Sequence, residues 1–245
     1  MENTELRNNL DYLGLPYLRD EFLSLANDAV KKKIHFREFF ENAIAGEVAH
    51  KRERAIERRI QQAHFPNKKS LSSFDWSHPS KINEELVRFV FNLDFAGKRG
   101  NVAFLGVTGV GKTHLMSALG LHACEKGYSV LFDTAANMIN RLVTAQATGD
   151  IVRSLKTYSR PDILCIDEIG YLPIGQLEAN LFFQVISSRY ETGSIVLTSN
   201  IAFVDWAKVF NNDSALTSAI LDRILHHCDV ITIEGSSYRL QDRNK

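Results

Sequence analysis

Eight residues, Gly106-Val107-Thr108-Gly109-Val110-Gly111-Lys112-Thr113, constrain this chain more than any other stretch. They fit the pattern G-x-x-x-x-G-K-[ST] at every fixed position and follow the apolar run Val102-Ala103-Phe104-Leu105. The next segment, His114 to Cys124, puts Leu115, Leu119 and Ala123 on one face at helical spacing. Strand, glycine-rich loop and helix in that order are the context in which this motif cradles phosphate. The glycines let successive backbone N–H groups point at phosphate oxygens, and the helix N-terminus adds partial positive charge. Contacts to a nucleotide are therefore expected from Gly106 through His114. Lys112 is expected at the β- and γ-phosphates, and the Thr113 hydroxyl on Mg²⁺.

With 245 residues and 44% apolar content, the chain can bury one main core and carry an appendage. Residues 1–66 contain no strand-like segment and read as a small helical domain of four helices. Leu6, Leu10 and Leu13 mark the first, which Gly14 and Pro16 end. Pro16 to about Val30 forms the second, with Leu18, Phe22 and Leu25 inward. A third carries Phe36, Phe39, Phe40 and Ile44 at spacing expected of core residues, and a fourth runs from about Val48 to Ala63. A polar stretch over 67–80, with the island Phe74-Asp75-Trp76, reads as a linker whose aromatics anchor on the next domain, the alternative being that the island flanks the nucleotide base.

From 81 to 245, short apolar runs alternate with helical segments, the pattern of a parallel sheet covered on both faces. The expected strands are Val102–Leu105, Ser129–Asp133, Ile163–Asp167, Ser194–Thr198 and Val230–Ile233. The third ends in Asp167-Glu168. A carboxylate at this strand tip holds Mg²⁺ in phosphate-loop ATPases, which assigns metal binding to Asp167 alongside Thr113. A second carboxylate beside it can orient or deprotonate the attacking water, which makes Glu168 the general-base candidate. The fourth strand ends in Thr198-Ser199-Asn200, which would bring the Asn200 amide near the γ-phosphate.

The formal net charge is zero but unevenly placed. Between Lys31 and Lys69 stand eleven basic and five acidic residues, an excess of 11 − 5 = +6. That asymmetry suggests an anionic partner, nucleic acid first, with Lys51, Arg52, Arg58 and Arg59 as contacts. Cys124, Cys165 and Cys228 are odd in number and far apart, as expected of free thiols. The polar, acidic opening Met1-Glu2-Asn3-Thr4-Glu5 is unlike a secretory signal, and no apolar run is long enough to span a membrane. A cytoplasmic location without a membrane partner is the expectation.

Phosphate loop, Asp-Glu strand and Asn-tipped strand in this order resemble the AAA+ ATPases. More narrowly, the chain resembles the IstB-type transposition helper proteins and their relatives, the DnaC helicase loaders. The likeness includes the helical front from Glu47 through Arg59, the run Ala63-His64-Phe65-Pro66, Phe74-Asp75, and Leu221-Asp222-Arg223-Ile224-Leu225. It implies an AAA+ core with a five-stranded parallel sheet, a helical N-terminal domain that binds DNA or a partner, and no C-terminal lid. It also implies that Arg223 reaches the nucleotide site of a neighbouring subunit as an arginine finger, so that lysine, carboxylates, Asn200 and finger together are catalytic. Residues 135–158 correspond to a helical wedge that touches DNA in this group, with Arg141, Thr144, Arg153 and Lys156 as its phosphate contacts.

The resemblance thus implies an ATP- and Mg²⁺-dependent ATPase, stimulated by DNA and by its own oligomerisation. It would assemble on duplex DNA, remodel it and deliver it to a separate transposase. A loader of a replicative helicase is the alternative. A small-molecule kinase would want an acceptor pocket and a mobile basic lid, and neither is visible in the sequence.

Overall fold

The computed structural model describes residues 4–170 and 174–238, so the first three residues of the acidic opening lie outside it. The chain forms two compact units, Met1–Arg58 and Arg59–Lys245.

The first unit is helical, with α1 Thr4–Tyr12, α2 Pro16–Lys32 and α3 Phe36–Ala63, whose C-terminal part continues into the second unit. Pro16 begins α2, where its missing N–H removes a donor that has no helical partner. Lys33, in a left-handed conformation, closes it by donating its N–H to Ala29 and Val30 carbonyls. Glu47 of α3 is 3% exposed because its carboxylate accepts the Leu18 N–H at 3.0 Å, one of the unpartnered donors of the first turn of α2. The expected third and fourth helices are one continuous helix of 28 residues. No proline interrupts it, and the lone Gly46 costs only about 1 kcal/mol relative to alanine. Gly46 also faces the Tyr17 ring, which a side chain there would overlap. Phe39 packs edge-on to Phe22, as expected of a core residue. Phe36 and Phe40 do not, being 87% and 64% exposed. Four residues apart, they lie together along a solvent-facing strip of the helix.

The second unit is a three-layer α/β sandwich. Its strands are β1 Asn101–Leu105, β2 Val130–Thr134, β3 Ile163–Ile169, β4 Ser194–Ser199 and β5 Cys228–Thr232. They form one parallel sheet in the order β2-β3-β4-β1-β5. Its helices are α4 Glu84–Val90, α5 Asp94–Gly97, α6 Lys112–Glu125, α7 Ala135–Thr148, α8 Ile151–Ser159, α9 Gln176–Arg189, α10 Trp206–Val209 and α11 Ser214–Leu225. Period-two alternation divides the strand residues between the two faces. Val102, Phe104, Phe132, Cys165 and Val196 pack with Leu115, Met116 and Leu119 of α6. Ala103, Leu131, Leu164, Ile166 and Leu197 pack with α7, α9, α10 and α11 on the other side. Segment 135–158 proves to be two helices, α7 and α8, separated at Gly149-Asp150, with Gly149 in the left-handed region.

Two buried polar side chains tie the amino ends of the strands. Asn101 donates to the Ile224 carbonyl and accepts from the Ile195 amide, both at 2.8 Å. Arg189 donates to the carbonyls of Tyr158, Asp162 and Ser194 at 2.8, 3.1 and 2.7 Å. Cys124 and Cys165 are free and buried, and burial pushes the Cys124 thiol up to about 11. Among the described residues, no helix is long and apolar enough to cross a membrane.

Candidate nucleotide site

The crevice beyond the carboxyl ends of β1, β3 and β4 is where a parallel sheet of this kind offers a site. A cavity of about 350 Å³ opens there, lined by the phosphate loop, Glu168, Thr198 and Asn200, and by residues of the segment from Pro66 to His78. The loop follows β1 directly, and Lys112 is the first residue of α6. Gly106 and Gly111 have φ of 152° and 99°, and both face close neighbours. A Cβ at Gly106 would overlap the Ile233 carbonyl, and one at Gly111 would sit 2.6 Å from the Phe74 ring. Only glycine fits either place without displacing the loop.

Lys112 is 9% exposed, and its ammonium folds back onto the carbonyls of Gly106 and Val107 at 2.7 and 2.8 Å. Those carbonyls hold the cation at the mouth of the loop, where it can exchange them for phosphate oxygens. The Thr113 hydroxyl lies 3.0 Å from both carboxylate oxygens of Asp167, which is 4% exposed. A hydroxyl and a buried carboxylate in contact fit the protein share of a Mg²⁺ shell, because this ion keeps waters and phosphate oxygens as its other ligands. The described residues contain no cluster of three or more histidine, cysteine or carboxylate groups that would form an all-protein cage.

Between β3 and β4 the register shifts. Ile166 pairs with Leu197 and Ile169 with Ser199, so Asp167 and Glu168 together stand opposite Thr198. Such a bulge re-aims side chains. Asp167 is buried, whereas Glu168, at φ 63°, points into the open cavity. The Thr198 hydroxyl fills the gap, donating to Asp167 Oδ1 at 2.5 Å and accepting the Glu168 N–H at 2.9 Å. Asn200 lines the same cavity, and its Oδ1 is buried without a protein hydrogen bond, a polar atom that calls for water or ligand.

Lys112, Thr113, Glu168 and Asn200 thus line one cavity, and Asp167 lies buried behind it on the Thr113 hydroxyl. Arg223 does not line it. On α11 its guanidinium donates to the Ala219 carbonyl at 2.8 Å and lies 4.8 Å from the centre of the Phe183 ring. The candidates for DNA contact are dispersed. Lys51, Arg52 and Arg58 are exposed on α3, and Arg59 is half-exposed. Arg153 and Lys156 are exposed on α8. Arg141 is also exposed but lies 3.5 Å from Asp133, and the Thr144 hydroxyl bonds back to the Asn140 carbonyl at 2.9 Å.

Sequence reasoning missed two groups that line the cavity. One is Thr198, hidden because a threonine in a strand is ordinarily a packing residue. The other is the pair His78 and Tyr238, which completes a wall whose Phe74 the sequence already offered as a flank of the nucleotide base. There Phe74, 7% exposed, meets Trp76 and His114 edge-on at 4.9 and 5.4 Å, and His78 meets Tyr238 edge-on at 4.8 Å. Tyr238 donates its N–H to the Gly109 carbonyl at 3.0 Å, which draws residues beyond β5 against the loop. His78 and Tyr238 stand in no sequence pattern that announces such a wall.

Among solved structures, the chain is similar to AMPPCP-bound DnaA from Aquifex aeolicus, with a TM-score of 0.58 and 22% identity, covering 70% of this chain and 51% of that one. It is also similar to the DnaC helicase loader, with a TM-score of 0.56 and 21% identity over 69% and 98% of the two chains. The chain spans about half the length of the two AMPPCP-bound DnaA structures it matches. At these identities the likeness is one of fold, and that fold is the AAA+ phosphate-loop core.

Sequence relatives are nearer. A protein of insertion sequence IS21 from Pseudomonas aeruginosa, named for ATP binding, is 41% identical over 98% of this chain and 91% of its own length. Its counterpart from insertion sequence IS5376 of Geobacillus stearothermophilus is 35% identical over 94% and 92%. The family described as IstB-like ATP binding protein matches residues 8–245, and with the phosphate loop and its partners assembled at the sheet edge, the chain belongs to that family.

Proposed function

We propose that this protein is the ATP-hydrolysing helper of an insertion-sequence transposase, which assembles on duplex DNA, remodels it and presents it for insertion. The observation that carries the reading is the meeting of the phosphate loop, Lys112, Thr113, Glu168 and Asn200 at one cavity, with Asp167 bonded to Thr113 behind it, in a chain of this family. The relatives' names tie them to ATP binding and to insertion sequences, and both properties are extended here to this chain.

The loop amides and Lys112 bind the β- and γ-phosphates, and His114 continues the contact at the start of α6. Thr113 and Asp167 would hold Mg²⁺, which would supply charge neutralisation for the nucleotide's phosphates. Glu168 accepts a proton from the attacking water, and the Asn200 amide orients that water toward the γ-phosphorus. Phe74, His78 and Tyr238 form the wall against which the base lies. Arg223, remote from its own cavity, extends to the γ-phosphate held by a neighbouring subunit and couples hydrolysis to assembly. Exposed cations on α3 and α8 take DNA phosphates, which gives affinity and register without base specificity.

Sedimentation with long duplex or single-stranded DNA, with and without a non-hydrolysable ATP analogue, tests the reading. ATP-dependent assemblies on duplex, lost when Lys51, Arg52, Arg58 and Arg59 are replaced by Glu, are expected. Assembly confined to single strands, or none without a helicase, would replace this reading with that of a loader.

A further inference from the structure

We propose that Thr198 is the positioning residue of the hydrolytic site, setting the aim of both acidic groups through one hydroxyl. The inference rests on the ATPase reading above and assigns a role to a residue outside the phosphate loop, the Asp-Glu pair and Asn200.

The argument begins with backbone accounting. In a regular parallel ladder the residues of the central strand β3 take their backbone partners alternately on β2 and β4. Here two residues, Asp167 and Glu168, occupy the space opposite one, because pairing resumes only at Ile169 with Ser199. The extra residue leaves an amide without a ladder acceptor, and a buried amide without an acceptor is costly. The Thr198 side chain supplies that acceptor, with its oxygen 2.9 Å from the Glu168 nitrogen.

The same oxygen carries a single proton, and the geometry gives it a single destination, Asp167 Oδ1 at 2.5 Å. A carboxylate can only accept and an amide can only donate, so the hydroxyl must act in both senses at once. Asp167 is then fixed from two sides, by Thr198 on β4 and by Thr113 on α6. Glu168 holds a left-handed backbone, with φ of 63°, which a non-glycine residue adopts only when its surroundings impose it. The Thr198 bond to its amide is the contact that imposes it. Thr198 is fully buried, so water does not substitute for the hydroxyl at no cost.

Positioning of this kind affects the chemical step more than binding. The nucleotide is held by the loop amides and Lys112, whereas the Thr198 hydroxyl bonds to Asp167 and Glu168. Without the hydroxyl, Glu168 loses the bond that turns its side chain into the cavity, and the water it activates loses its alignment.

The test uses the full chain with Thr198→Val, which keeps the shape and removes the hydroxyl, and Thr198→Ser, which keeps the hydroxyl. Steady-state ATP hydrolysis gives kcat and KM, a fluorescent ATP analogue gives nucleotide affinity, and a thermal melt checks folding. The expected result is a fall in kcat of about 100-fold for Thr198→Val, the scale of a misaligned reacting group. Affinity for the nucleotide measured without Mg²⁺ should stay close to that of the wild type, because the loop and Lys112 are intact, and Thr198→Ser should restore most of kcat. A Thr198→Val protein with wild-type kcat overturns the proposal. So does a loss of nucleotide affinity or folding in both variants, which would make the residue structural. A wild-type protein that binds nucleotide and never hydrolyses it, with DNA present, overturns the ATPase reading and this proposal together. Wild-type hydrolysis matched by Thr198→Val overturns this proposal alone.

Discussion

Arg189→Met sets two opposing effects against each other at the base of the sheet. Arg189 is fully buried, and its guanidinium donates to the carbonyls of Tyr158 at the end of α8, Asp162 before β3, and Ser194 at the start of β4. Burial pulls its pKa from 12.5 down to about 10, so a neutral side chain recovers roughly 3 kcal/mol of desolvation cost. Against this, three carbonyls lose a charged donor in a dry site, each at about 1–3 kcal/mol, or roughly 6 kcal/mol together. Methionine fills the space of the aliphatic stem, so little cavity energy is added. The loss of hydrogen bonds wins by roughly 3 kcal/mol, which for a chain of this size lowers Tm by about 6–12 °C. Calorimetry or circular dichroism melts of wild type and variant measure it. A Tm within about 2 °C of wild type would refute the accounting, since the carbonyls would then have found other partners at no cost. Arg189 also holds the end of α8, the helix that carries Arg153 and Lys156, so the variant should loosen that helix first, seen as faster amide exchange there.

Other substitutions probe the site and its surroundings. Glu168→Gln removes the proposed base, and hydrolysis should fall by about 10²–10⁴ while binding of a fluorescent ATP analogue persists. Phe74→Ala removes the ring against Gly111 and should weaken nucleotide affinity about tenfold, since a ring–base contact is worth about 1–3 kcal/mol. Replacing Arg153 and Lys156 by Ala should reduce the slope of log affinity for duplex DNA against log salt by about 1–2, measured by fluorescence anisotropy. Asp213 caps α11, and the Leu216 amide, together with Gln176, holds its carboxyl below the ordinary value of 3.8. Its stabilisation is therefore present above that ordinary value and lost as pH falls through the lower folded value. Acid unfolding of Asp213→Asn should be correspondingly less steep at the low end of the titration.

The strands are legible in the sequence because each is a short apolar run ended by a polar tip, and burial on both faces demands that composition. The phosphate loop, the Asp167-Glu168 pair and Asn200 are legible because their chemistry is local: a few consecutive residues supply amides, cation, hydroxyl and carboxylate. The helical front is less so. Helical spacing alone does not say which face is covered, so it assigns Phe36 and Phe40 to a core although both are exposed. Nor does it mark where one helix becomes two, as the unbroken α3 and the divided segment over 135–158 both demonstrate.

What tertiary structure alone decided is the company each residue keeps across the sheet. The sequence puts Thr198 31 positions from Asp167. Only parallel pairing of β3 with β4, with a bulge at the tip, places its hydroxyl between the two acidic residues. The wall of Phe74, His78 and Tyr238 is likewise assembled from opposite ends of the second unit, with His78 bonding to the Ser236 carbonyl across 158 positions. Periodicity and motif spacing act over a few residues, which is why the phosphate loop and the strands could be read directly. Register and close approach are settled by the competition of whole elements for a common core, and no local pattern encodes that outcome.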